Sequence, residues 1–189
     1  MADRRDTEPR EGVLPASRRW VASRAKGATL EVGVGSWPSL GFYPRDVKLT
    51  GLDLRASAVA KAARTLERAG RRADLVKGDA MELPFGDATF DTVVFSFSLC
   101  GVPQVQGALI EAMRVLKPGG SLLMADHIGA DSGPMRLLQR VAETFTAPLV
   151  GEHFTRKPAL DAVALNVDIV ARERVGRGGI ERLHAVKRG

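Results

Sequence analysis

The chain has 189 residues, a length that suits one domain of ordinary size and leaves little room for two. Hydrophobic residues make up 44% and charged residues 26%, the balance of a globular protein, and no apolar run approaches the roughly 20 residues that cross a bilayer. The charged N-terminus has no apolar core typical of a signal peptide, and the single cysteine excludes an internal disulfide, so we expect a cytoplasmic protein.

The net charge of +6 is concentrated at the two ends of the chain. Residues 1–28 carry +3 and residues 171–189 carry +4, whereas the middle carries −1. A protein that reads nucleic acid usually has its basic excess as a stripe on the folded domain, so this distribution argues against a nucleic-acid partner. Two interpretations stay open, solvated termini or a basic fringe that contacts an anionic membrane or an acidic partner.

The first half of the chain predicts a tail followed by alternating strands and helices. Residues 1–12 are polar and lack a period, which predicts disorder, and residues 13–189 are assigned to a single domain. An alanine-rich segment places apolar side chains on one face and stops at Gly70, which is typical of a helix. Helices are predicted over 14–26 and 56–69, and strands over 28–32, 47–53, 73–77 and 91–96.

The second half predicts a further helix, a strand and a closing hairpin. Leu109, Ala112, Met113 and Leu116 form one helical stripe, which residues 117–120 end with proline and glycine. A strand is predicted over 121–126, helices over 133–146 and 158–164, and strands over 167–174 and 180–186. The glycines between the last two strands favour an antiparallel hairpin, and the preceding alternation favours an α/β fold with a parallel sheet covered on both faces.

A glycine-rich turn follows the first predicted strand, where a doubly wound sheet binds its ligand. Gly33 and Gly35 let the backbone approach a ligand closely. A dinucleotide fingerprint would need a third glycine where the chain has Pro38, and its pyrophosphate would meet the carboxylate of Glu31. A cationic ligand suits that position better. S-adenosylmethionine fits, because it carries an ammonium and a sulfonium group and no phosphate.

Two further acidic residues follow the second and third strands. Asp53 ends the second strand, 22 residues after Glu31, where a carboxylate can accept both hydroxyls of a ribose. Asp79 follows the third strand, where it could accept an adenine amino group while Met81 covers the ring. Either acid alone could be a loop cap or a surface charge, but three at successive strand ends favour a nucleoside site.

These segments resemble the ordered motifs of class I S-adenosylmethionine-dependent methyltransferases over roughly residues 28–187. The similar stretches are residues 30–35, 51–54, 78–80, 83–85, 90–94 and 116–120. The resemblance implies a Rossmann-like three-layer sandwich whose seven-stranded sheet has the order 3-2-1-4-5-7-6 and an antiparallel last strand. It implies S-adenosyl-L-methionine as cofactor, bound by Glu31, Gly33, Gly35, Trp37, Asp53, Leu54, Asp79, Ala80, Met81 and Ser96.

Within that family, residues 35–44, 99–102, 126–128 and 152–156 look most like the phospholipid N-methyltransferases and the methyltransferase-like thiol methyltransferases. We therefore expect methyl transfer to N, S or O of a small molecule or lipid headgroup. Trp37 replaces the third glycine of the motif and could block the pocket or form its wall. The short N-terminal segment predicts an open site, which a second copy in a homodimer could complete.

Two histidines are candidates for the chemistry. His127 follows the fifth predicted strand at the mouth of the sheet, and His153 lies in the late region that should border the substrate. Each could instead be structural, by bonding a backbone carbonyl or lying in a surface loop. No metal-ligand spacing occurs in the sequence. Two alternatives remain open, a non-catalytic binding module with a degenerate pocket and a methyltransferase acting on RNA or protein.

Overall fold

A computed structural model describes residues 12–128, 166–176 and 179–189. Its helices are α1 (Val13–Ala22), α2 (Ala56–Ala69) and α3 (Val105–Val115). Its strands are β1 (Ala28–Val32), β2 (Lys48–Asp53), β3 (Asp74–Lys77), β4 (Phe90–Ser96), β5 (Leu116–His127), β6 (Val167–Val175) and β7 (Ile180–Lys187).

The strands form one seven-stranded sheet in the order β3-β2-β1-β4-β5-β7-β6, as the resemblance implies. The five strands from β3 to β5 are parallel, and β7 pairs antiparallel with both β5 and β6. The strand order reverses at β1. The chain continues from β1 to β2 and β3 on one side of this strand and then returns to place β4 on its other side. Because parallel strands end on the same edge, the segments that follow β1, β2, β3 and β4 meet there.

Helices cover the two faces of the sheet and bury a separate apolar cluster on each. The apolar stripe of α3 packs with the large side chains of β4 and β5 on one face. On the other face, α1 and α2 pack with the segment between β1 and β2. The predicted three-layer α/β sandwich is therefore confirmed. Gly70 ends α2 in the left-handed conformation with φ +56°, as its position in the sequence predicts.

The structure confirms a helix before the first strand and departs from the sequence expectation at the start of β5. The helix predicted over 14–26 spans Val13–Ala22 and packs against β4, β5 and β7. The strand β5 begins at Leu116 and incorporates Pro118 and Gly119, which the sequence assigned to a turn. Proline is tolerated near the start of this strand, because the pairing with β4 is interrupted there: Leu116 pairs with Phe90, and regular pairing resumes only at Ser121.

Residues 1–11 of the tail predicted over 1–12, and the helices predicted over 133–146 and 158–164, lie outside the described residues. None of the described helices is long and apolar enough to cross a membrane. The single-domain boundary at residue 13 stays a prediction.

Candidate functional site

A cavity of about 470 Å³ opens at the carboxyl edge of β1 to β4. Most of the residues that the sequence assigned to cofactor binding line it, which brings together segments up to 65 positions apart. The assigned residues that line the cavity are Glu31, Gly33, Gly35, Asp53, Leu54, Asp79, Ala80 and Ser96. Two others, Trp37 and Met81, are not among its lining residues.

The turn after β1 has the backbone conformation that its glycines permit. Gly33 and Gly35 have φ of +76° and +56°, which side chains other than glycine rarely adopt. A Cβ on Gly33 would lie 2.5 Å from the Cβ of Ser98, so the turn and the segment after β4 are in close contact. A Cβ on Gly35 would meet nothing within 4 Å. The turn therefore has a packed side against Ser98 and an open side at the cavity.

Asp53 connects this turn to the end of β2. One carboxylate oxygen accepts a hydrogen bond of 2.9 Å from the backbone amide of Gly35, and the other accepts one of 3.0 Å from that of Arg55. The side chain is buried, yet each oxygen retains acceptor capacity on the cavity side. Asp79 likewise borders the cavity and accepts a hydrogen bond of 2.8 Å from the amide of Met81.

Glu31 lies beneath the glycine turn rather than presenting a free charge to a ligand. Its carboxylate accepts hydrogen bonds from Trp37 Nε1 at 2.6 Å, from the Tyr43 hydroxyl at 2.7 Å and from the Ser39 hydroxyl at 2.7 Å. Burial raises the pKa of Glu31 above its ordinary value, while these hydrogen bonds and the charge of Arg18 oppose the shift. The same burial, with the charge of Glu31, raises the pKa of Tyr43. The carboxylate thus holds the turn in place from inside.

Trp37 neither blocks the cavity nor forms its wall, in contrast to both sequence hypotheses. Its ring is 1% exposed and belongs to the apolar cluster under α1 and α2, where it lies against Gly51. Its φ of +59° explains why glycine is usual at this position in the family that the motifs resemble. The hydrogen bond to Glu31 and the burial of the indole hold a bulky residue in this left-handed conformation.

Met81 also differs from its predicted role. Its side chain packs against the apolar cluster on the α3 face, whereas its backbone amide bonds Asp79. The structure therefore gives no support to Met81 as the cover of a base. Its neighbour Ala80 lines the cavity instead.

A cationic residue of the first helix also lies at the cavity, and no sequence pattern indicated it. Arg18 on α1 lines the cavity, and its guanidinium carbon lies 4.8 Å from the ring centre of Phe97, the residue after β4. Phe97 has φ +56°, a conformation that is strained for an aromatic residue and that often marks functional sites. The helical spacing of Ser17, Trp20 and Val21 could have shown that α1 packs on the sheet, but nothing in the sequence indicated where Arg18 would point.

The two predicted catalytic histidines have different outcomes. The ring of His127 packs against Phe97 with 5.0 Å between ring centres, next to the cavity but not among its lining residues. Ligand atoms of His127, Cys100 and Asp126 lie within 4.8 Å of one another. Burial raises the pKa of Asp126, with opposing hydrogen bonds from the His127 and Leu99 amides and from Cys100. His153 lies outside the described residues.

The lining of the cavity suits a nucleoside that carries a charged side arm. Two acidic side chains at the ends of β2 and β3 can accept from sugar hydroxyls and a base amino group, while the glycine turn admits close backbone approach. No phosphate-binding arrangement of a third glycine is present at the turn, because Trp37 and Pro38 occupy it. The donor and acceptor set therefore fits S-adenosylmethionine.

Comparison with known proteins shows the family to which the chain belongs. The family model described as "Methyltransferase domain" matches residues 30–124. A phosphatidylethanolamine N-methyltransferase of Cereibacter sphaeroides is 34% identical over 162 residues, which cover 80% of each chain. The chain belongs to the methyltransferase domain family. It is an S-adenosylmethionine-dependent methyltransferase, and S-adenosyl-L-methionine is its cofactor.

Two other similarities are less extensive. The UbiE ubiquinone/menaquinone biosynthesis C-methyltransferase of Roseobacter denitrificans is 40% identical over 112 residues, which cover 57% of this chain and 45% of that one. A solved structure from Bacillus halodurans, provisionally described as a methyltransferase, has a TM-score of 0.78 at 18% identity and covers 94% of this chain and 100% of its own. That structure supports the fold alone.

Proposed function

We propose that this enzyme transfers the methyl group of S-adenosylmethionine to an N, S or O atom of a small molecule or lipid headgroup, with an amine nitrogen as the favoured acceptor. The observation that carries the proposal is the similarity to a phosphatidylethanolamine N-methyltransferase across 80% of both chains. Bound in the cavity that Gly33, Gly35, Asp53 and Asp79 line, the cofactor would supply an activated methyl group for transfer to the acceptor. The protein contributes mainly by positioning the two partners.

The charge distribution supports access to a lipid acceptor. The basic ends of the chain could hold the enzyme at an anionic membrane surface. Homodimer formation and a cytoplasmic location remain parts of the proposal.

An acceptor panel tests the proposal. The panel contains phosphatidylethanolamine vesicles, ethanolamine, a small thiol and a demethylated quinone, and the readout is release of S-adenosylhomocysteine. Phosphatidylcholine vesicles are the matched control, because their headgroup nitrogen is already fully methylated. We expect turnover with an amine acceptor above that control. Turnover with the quinone alone would overturn the proposal in favour of carbon methylation, the second candidate, which the UbiE similarity supports.

We assign to His127 a role at the acceptor rather than at the cofactor. Its ring packs against Phe97, which lines the cavity. A neutral imidazole can orient an amine or accept a proton near neutral pH. If His127 is the base, His127→Ala lowers turnover about 100-fold while the affinity for S-adenosylhomocysteine stays unchanged. An orienting role predicts a smaller loss with little pH dependence.

A control variant separates this role from general damage to the fold. His184 bonds Ser121 between β5 and β7 at 3.1 Å, so His184→Gln alters a histidine of the same sheet away from the cavity. Full turnover by His127→Ala on the best acceptor would remove His127 from the reaction. His153 would then be the next residue to test.

A further inference from the structure

Three buried polar atoms at the cavity have no hydrogen-bond partner among the residues that the structure describes. They are Nε of Arg18, Oγ of Ser96 and Oγ of Ser98, and all three residues line the cavity. Buried polar atoms are nearly always paired in folded proteins, because leaving one unpaired costs about 1–3 kcal/mol. Their concentration at one cavity indicates that a ligand supplies the missing partners.

The three atoms come from segments that hold one another in place. Ser96 ends β4, and Ser98 follows two residues later on the far side of the left-handed Phe97. The guanidinium of Arg18 lies over the ring of Phe97, and Ser98 packs against Gly33 of the glycine turn. The arrangement therefore places one guanidinium and two hydroxyls at the part of the cavity between α1 and the end of β4.

The charge of this part of the cavity depends on Arg18. Burial lowers the pKa of Arg18 from its ordinary value, and the charge of Glu31 opposes that shift. An arginine guanidinium remains charged in proteins near neutral pH. The carboxylate of Glu31 is already bonded to Trp37, Ser39 and Tyr43 beneath the turn. Proteins commonly bind carboxylates and phosphates with hydrogen-bond donors of this kind, a guanidinium group together with nearby hydroxyl groups.

We propose that Arg18, Ser96 and Ser98 form an oxyanion subsite that takes a carboxylate or phosphate group of a bound ligand. The oxyanion could belong to the cofactor, as its amino-acid carboxylate, or to the acceptor, as a headgroup phosphate. The second source rests on the proposed function, whereas the first rests only on cofactor binding. Both sources require the same donors.

Calorimetric titration of the full chain with paired ligands separates the two sources. S-adenosylhomocysteine and 5′-methylthioadenosine share the nucleoside thioether, but only the first has a carboxylate. Phosphoethanolamine and ethanolamine, titrated into protein saturated with S-adenosylhomocysteine, share the amine, but only the first has a phosphate. Because these are binding measurements, they remain decisive even if no acceptor is methylated, an outcome that would count against the proposed function alone.

The variants are Arg18→Met and Ser98→Ala, with Arg19→Met as the matched control. Arg19 is exposed on the same helix, and its guanidinium also lies over an aromatic ring, that of Phe42 at 4.6 Å. If the cofactor supplies the oxyanion, Arg18→Met weakens S-adenosylhomocysteine binding tenfold to a hundredfold and leaves methylthioadenosine binding unchanged. If the acceptor supplies it, the phosphoethanolamine affinity falls by a similar factor and the ethanolamine affinity does not.

Ser98→Ala should weaken binding of the same anionic ligand by a smaller factor, and Arg19→Met should leave all four affinities unchanged. Should Arg18→Met fail to fold, Arg18→Lys keeps the charge without the planar donor fork and is measured with the same pairs. The proposed oxyanion subsite would be overturned if the Arg18 variant lost affinity equally for both ligands of each pair. It would also be overturned if the variant lost affinity for neither S-adenosylhomocysteine nor phosphoethanolamine.

Discussion

Glu31 and Trp37 show how a single residue pair determines the shape of the cofactor turn. The indole nitrogen of Trp37 donates to a buried carboxylate, and the ring fills the space next to Gly51. The left-handed backbone of Trp37 costs roughly 1–2 kcal/mol relative to glycine, which the buried ring and the hydrogen bond offset. At this position a bulky residue therefore stabilises the same turn that glycine allows in related sequences.

Trp37→Phe should lower the free energy of unfolding by about 1–3 kcal/mol, because the phenyl ring keeps most of the packing and leaves Glu31 without one donor. Urea unfolding measures the change. Trp20→Phe is the matched control, since Trp20 Nε1 donates at 3.1 Å to Glu173, whose side chain is 46% exposed and can bind water instead. An equal loss in the two variants would contradict the role given to the buried pair.

At the scale of secondary structure elements, the contact between the β1 turn and the segment after β4 shapes the cavity. Gly33 has φ +76° and lies so close to Ser98 that no side chain fits between them. The turn after β1 is therefore in direct contact with the segment that follows β4. Cofactor binding at the turn and the donors of the proposed oxyanion subsite depend on the same contact.

Gly33→Ala should weaken S-adenosylhomocysteine binding more than tenfold, because the added methyl group strains the backbone and displaces Ser98. Calorimetric titration measures the affinity. Gly41→Ala is the control, since Gly41 has an ordinary φ and a Cβ there would meet nothing within 4 Å. If Gly33→Ala binds as tightly as Gly41→Ala, the turn is not a cofactor contact.

The sequence predicted the strands, their order and the acids at the strand ends more accurately than it predicted side-chain directions. Strand positions follow from local apolar patterns, and the cluster of Asp53 and Asp79 follows from the parallel sheet, because parallel strands end on one edge. The inward direction of Trp37 and the cavity contact of Arg18 depend on packing between distant segments. No local pattern encodes such packing, which is why both were misjudged or missed.

At the scale of the whole molecule, the buried acid under the turn affects how stability depends on pH. Burial raises the folded-state pKa of Glu31 above 4.5, despite the hydrogen bonds that oppose it. The folded state then binds more protons than the unfolded state over the interval above pH 4.5. The stability contributed by protonated Glu31 is complete below that pH and is lost as the pH rises through the folded-state pKa.

Glu31→Gln removes this titration while its amide can still accept from Trp37 and Tyr43 and donate to Ser39. The free energy of unfolding of the variant, relative to the parent, should therefore increase with pH from about 4.5 upward. Urea unfolding at a series of pH values measures the difference. Glu67→Gln on the exposed face of α2 is the control, and a relative stability of Glu31→Gln that does not change with pH would contradict the raised pKa.

Calorimetric titration with S-adenosylhomocysteine tests most directly whether S-adenosylmethionine occupies the cavity at the ends of β1 to β4. The parent chain should bind a single equivalent, and Asp53→Ala should bind tenfold to a hundredfold more weakly, because it loses a charge-assisted ribose contact and the bond to Gly35. Asp168→Ala, at an exposed ion pair on β6, should bind like the parent. The absence of saturable binding by the parent, or an unchanged affinity in Asp53→Ala, would contradict the account.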